Sequence, residues 1–77
     1  GSKPAELSSG ATYQQAIDKL DAIIEYCNNN PGGTNDGYKS SAEYYRTMIS
    51  GTNYQTNWSG YSSTVISQIN SLITNLQ

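Results

Sequence analysis

The chain has no histidine and no phenylalanine, a single cysteine, and only four basic and six acidic side chains among 77 residues. Without histidine it lacks the commonest general base, the commonest metal ligand, and every Ser-His or Cys-His nucleophilic pair. One cysteine, Cys27, cannot close an internal disulfide. Lys3, Lys19, Lys39 and Arg46 are scattered and build no basic patch, which argues against a nucleic-acid partner. No run approaches the roughly 20 apolar residues of a membrane span, so insertion into a bilayer is not expected. No signal-peptide pattern is present either.

The remaining candidates for chemistry read as structure. Asp18, Asp21 and Glu25 fall at helical spacing, but interleaved with Gln15 and Lys19 they describe a solvated helix face. Pro31-Gly32-Gly33 precedes no lysine and opens no phosphate-binding turn. A calcium loop with Gly37 sixth would place Thr34, Asp36 and Glu43 at its third, fifth and twelfth positions, yet Gly32 stands where the first carboxylate belongs. An ordinary loop is the better account. No enzyme activity, metal or cofactor is expected.

What fills the chain instead is uncharged polarity. Asn, Gln, Ser and Thr make up 31 of the 77 residues. Such a surface fits an extracellular or virion-associated setting better than a cytosolic enzyme. A domain this short buries only about 60% of the surface its unfolded chain exposes, so its core must be efficient.

That core is legible as helix periodicity. Ala16, Ile17, Leu20, Ile23, Ile24 and Cys27 recur at spacings of three and four, with Thr12 and Gln15 set as a capping box, predicting a helix over about 12–29. The thiol of Cys27 belongs to that buried stripe. The run NNNPGGTNDG is a dense turn cluster, and a second helix is expected over about 38–50, capped by Asp36 or Ser40 and ended by Gly51. A polar connection, TNYQTN, leads to a third helix over about 58–76 with Val65, Ile66, Ile69, Leu72 and Ile73 on one face. Ile24 and Ile69, each mid-helix, are expected deep in the core. Residues 1–10 read as a cloning remnant, Gly1-Ser2, followed by a flexible tail or linker. Three amphipathic helices with short connections predict an all-α, antiparallel three-helix bundle over 11–77.

The aromatics are seven tyrosines and one tryptophan. Tyr13, Tyr38, Tyr45 and Tyr61 can sit at the core with their hydroxyls at its rim. Tyr44, Tyr54 and Trp58 are harder to bury together, and amphipathic rings beside Asn and Gln suit partner or sugar contacts. Asn57-Trp58-Ser59 also has the form of an N-glycosylation triplet.

No charged side chain occurs from Thr47 to Gln77, and Ser67 and Ser71 leave the outer face of the third helix small and neutral. These five residues, Tyr44, Tyr54, Trp58, Ser67 and Ser71, are the candidate contact positions. Trp58-Ser59-Gly60 resembles the Trp-x-Gly turn of small secreted helical-hairpin proteins, although there the turn joins two long helices and here only 17 residues follow it. The general plan resembles the three-helix modules of bacterial surface proteins. The expected function is a non-catalytic structural or interaction module of a larger extracellular or virion assembly, with a protein partner or self-association. The alternative is a small glycan- or ligand-binding module.

Overall fold

The architecture follows from a computed structural model that describes residues 2–77, with Thr52 known by its backbone alone. Gly1, read as part of a cloning remnant, lies outside the described residues. Among them are four helices and no strand: α1 (Tyr13–Asn29), α2 (Gly33–Ile49), the single turn α3 (Thr52–Thr56) and α4 (Trp58–Asn75). The three long helices form an up-down-up bundle. Tyr13 at the start of α1 meets Ile49 at the end of α2 and Trp58 at the start of α4, while Tyr26 and Asn35 meet Gln77 at the opposite pole. Hence α1 and α4 run parallel and α2 runs against both.

The capping box of α1 is formed as the sequence implies. The Gln15 amide N–H donates to Thr12 Oγ1 at 3.1 Å, and Thr12 N–H donates to Gln15 Oε1 at 2.8 Å. At the other end Asn30 Nδ2 donates to the Tyr26 carbonyl at 2.9 Å, covering one of the last unpaired carbonyls.

α2 begins at Gly33, five residues before the expected 38. The turn cluster is therefore shorter than its composition implies, because Thr34, Asn35, Asp36 and Gly37 lie in the first turns of the helix. Asp36 sits where an anion complements the helix dipole, and its Oδ1 accepts from Gly32 N–H at 2.9 Å. The reversal itself is made by glycine: Gly32 has φ 96° and ψ 173°, and Gly33 has φ 56°. The Gly32 conformation is accessible essentially only to glycine. Nothing would crowd a Cβ there, so the cost of a side chain is purely backbone strain. Gly32→Ala should destabilise the fold by about 1–3 kcal/mol, measurable by chemical denaturation. A variant as stable as the parent would mean the turn is wrongly described.

The polar connection before α4 contains a helical turn of its own, α3. Asn57 breaks the helical path with φ −111° and ψ 32°, and Nδ2 of Asn57 donates to the Asn53 carbonyl at 3.0 Å. α4 then runs to Asn75, where Leu76 turns the chain extended.

The core is built by Leu20, Ile23 and Cys27 from α1, Ala42 and Ile49 from α2, and Val65, Ile69 and Ile73 from α4. Ala16 and Ala42 are fully buried, which lets the helices approach closely at those levels. Ile69 is buried as expected, but Ile24 is not: it lies at the margin of the α1 stripe, partly covered, and its neighbour Ile23 is the fully buried residue. No described helix is long and apolar enough to cross a membrane.

Residues 2–11 do not form a helix. They run along the bundle as an extended strap, antiparallel to α4. Lys3 Nζ donates to the Leu76 and Thr74 carbonyls at 3.0 and 3.3 Å, Leu7 pairs with Asn70, and the Ala11 carbonyl accepts from Trp58 Nε1 at 2.9 Å. An extended chain covers up to about 3.3 Å per residue and a helix 1.5 Å, so the short strap can span most of the 18-residue α4.

Candidate interaction surface

Each candidate ring has a different neighbour. Trp58 is half-buried, with its indole held edge-on to Tyr13 at 5.7 Å between centroids and its N–H satisfied by the Ala11 carbonyl. Tyr13 in turn donates its hydroxyl to the Ile49 carbonyl at 2.8 Å. Trp58 thus joins the strap, α1 and α4 at one pole. Tyr54 stacks on Tyr61 at 4.3 Å with 29° between planes, and Tyr61 keeps an exposed edge. Tyr44 is the most solvent-open ring, 65% exposed on α2, tilted against Tyr45 at 5.8 Å. None of the ring pairs brings Tyr44, Tyr54 and Trp58 into one platform.

Ser67 and Ser71 are both exposed on α4. With Ser63, Thr64 and Thr74, also exposed, they form a continuous outer stripe at helical spacing. Apart from Lys3 at the Thr74 and Leu76 carbonyls, the charged contacts described lie on α1 and α2. Asp18, Asp21 and Glu25 are exposed on α1, and Asp21 accepts from Arg46 Nε at 3.0 Å across to α2. That exposed pair contributes about 0–1 kcal/mol and serves solvation more than stability.

The other pole is a polar clamp that composition did not reveal. Asn35 is the one buried polar residue in the described core, and its amide grips the backbone of Gln77. Oδ1 accepts from Gln77 N–H at 2.9 Å, while Nδ2 donates to the Asn30 carbonyl at 3.0 Å and to the Gln77 carbonyl at 3.4 Å. Tyr26 adds its hydroxyl to the Gln77 carbonyl at 2.7 Å. Asn70 does the same for the strap: Oδ1 accepts from Leu7 N–H at 2.7 Å and Nδ2 donates to the Leu7 carbonyl at 3.0 Å. Both asparagines lie in stretches rich in Asn and Ser, where nothing in the one-dimensional pattern separates a clamp from a wet residue. Leu7 left a faint signal as the one large apolar residue of the first ten.

Comparison with protein-family models, curated proteins and solved structures returns no match to this chain.

Two open grooves of about 370 and 320 Å³ lie end to end between the strap and α1, sharing Lys19 and Ala22. Neither is lined by Tyr44, Tyr54 or Trp58. Among the described residues no three carboxylates or thiols gather closely enough to hold a metal ion. Thr34, Asp36 and Glu43, weighed above as calcium ligands, are all on α2.

Cys27 is buried, 1% exposed. Burial pushes its thiol above the ordinary value of 9.0; Lys39 opposes that rise and Asp36 adds to it. The sign for stability follows. Above pH 9 the unfolded thiol ionises while the folded one keeps its proton, so the folded state loses ground as pH climbs from the ordinary value toward the raised one. The stability advantage of the parent over Cys27→Ala should therefore shrink between pH 8 and pH 10 in paired denaturation curves. A gap that widens would place the thiol in a different environment. Native labelling by a thiol reagent should likewise be slower than in denaturant by about tenfold or more.

Proposed function

We propose that the chain is a non-catalytic helical interaction module of a larger extracellular or virion assembly, and that the outer face of α4 meets a protein partner. The observation that carries this reading is the segregation of charge. Every charged side chain stands at or before Arg46, so α3 and α4 have none, and the exposed stripe Ser63, Ser67, Ser71 and Thr74 is small as well as neutral. A solvent-facing helix ordinarily carries Lys and Glu, which favour helix and solubility together. Small uncharged side chains allow another helix to approach without stranding a charge.

The glycan alternative rests on Tyr44 and on the Tyr54–Tyr61 stack. It is the weaker reading, because the two grooves are lined by other residues and because Trp58 has its indole N–H and one ring edge engaged within the fold.

Lysines at both Ser67 and Ser71 test the α4 face. Ser67→Lys/Ser71→Lys should leave the helical circular dichroism and melting intact while abolishing association in light scattering or co-purification with the native assembly. Association that survives both lysines would remove α4 from the interface.

A further inference from the structure

The crease between the parallel helices α1 and α4 is covered by the strap, and the way it is covered is unusual in one respect. The polar contacts that α4 makes with the middle and the end of the strap go to main-chain atoms: the N–H and carbonyl of Leu7 through Asn70, and the carbonyl of Ala11, just past the turn, through Trp58. Side-chain amides that grip both backbone groups of one residue do what a neighbouring strand does in strand addition, where main-chain bonds give affinity and alternate side chains give selectivity. Here the selective element is Leu7, partly buried against the core. The crease is thus a seat for an extended peptide with an apolar anchor.

The fit is incomplete on the α1 side. The two grooves between strap and α1 leave open space alongside Lys19 and Ala22. The link to α1 is also slight. Ser8, Ser9 and Gly10 are exposed, and the chain folds back through one turn, Ala11 N–H to the Ser8 carbonyl at 3.1 Å. Opening that turn would carry the strap away from its own crease without disturbing any helix.

We propose that the crease is an exchangeable peptide seat, filled here by the chain's own residues 3–7 ahead of the Ser8–Ala11 turn, and that a second copy of the chain supplies the same segment in trans. The occupant is identified by what the seat reads: an extended backbone, Leu7 over the core, and a lysine placed to reach the carbonyls at the end of α4, all of which a second copy carries in the right order. Exchange of an identical element makes every intramolecular contact again between copies, so it needs no new surface, and hinge length decides which form prevails. Of the outer stripe of α4 the strap uses only the backbone carbonyl of Thr74 and neither Ser67 nor Ser71, so this seat is tested independently of the α4 interface.

The test shortens the hinge in the full chain. With Ser9 and Gly10 deleted, the strap cannot turn back on its own α1. Light scattering should give a dimer of doubled mass with unchanged helical content, and adding Leu7→Asp should return it to monomer. A helical monomer from the shortened chain, or a dimer indifferent to Leu7→Asp, would overturn the proposal. Should the shortened chain lose its helices, the full-length Leu7→Asp chain, whose own strap lacks its anchor, is titrated with a synthetic peptide of residues 2–12. Saturable shifts of the Asn70 side-chain amide resonances are expected, and a peptide carrying Leu7→Asp should produce none. No shift at millimolar peptide, or equal shifts from both peptides, would overturn the exchange.

Discussion

Ile69→Ala should cost about 2–5 kcal/mol, much of the stability a domain of this size possesses. Ile69 is fully buried on α4, within the cluster that includes Leu20, Ile23 and Ile49. Removing three of its carbons forfeits their transfer energy and leaves a void that three helices must close together. The matching control is Ile24→Ala. Ile24 is only partly covered, so its truncation should cost clearly less than that of Ile69. Thermal melts that rank the two equally would mean the register of α1 or α4 is misplaced.

Trp58→Ala should cost about 3 kcal/mol, the lower end of the range for large aromatics because the ring is only half-buried. The indole fills the junction between Tyr13 and the strap, and its N–H satisfies the Ala11 carbonyl. Trp58→Phe keeps most of the packing and loses the hydrogen bond, so about 1 kcal/mol is expected. Tyr44→Ala is the contrast: at 65% exposure it should change stability by no more than about 0.5 kcal/mol. A Trp58→Ala variant that melts like the parent would return Trp58 to the surface and to the list of free contact rings.

The contrast between those two rings also shows what periodicity can and cannot convey. The stripes of α1 and α4, the capping box at Thr12 and Gln15, and the buried Cys27 were all legible, because each is a local pattern imposed by a 3.6-residue repeat. The start of α2 was not. Thr34, Asn35, Asp36 and Gly37 have poor helix propensity, and the pattern reads them as turn. Tertiary bonding overrides that preference: on the helix Asn35 gains a buried set of partners, and the positive φ of Gly32 and Gly33 makes the reversal in fewer residues than expected.

The candidate contact residues divide in the same way. Ser67 and Ser71 were placed outward by the helical repeat and are exposed. Tyr44, Tyr54 and Trp58 were grouped by residue type, and type says nothing of distance; in the fold they have separate neighbours. The strap was the least legible element. It has no repeat to detect, and its position depends on Asn70 and Trp58, which lie dozens of residues away.

The proposed meeting of the uncharged α4 face with a protein partner predicts that partner density lies over Ser67 and not over α2. Site-specific photocrosslinking addresses it most directly. A benzophenone amino acid is placed at Ser67 on α4 and, separately, at Lys39 on α2, and each full chain is irradiated in the cells or particles that contain it. A discrete crosslinked product from position 67 and none from position 39 is the predicted result. A product from position 39 with none from position 67 would contradict it.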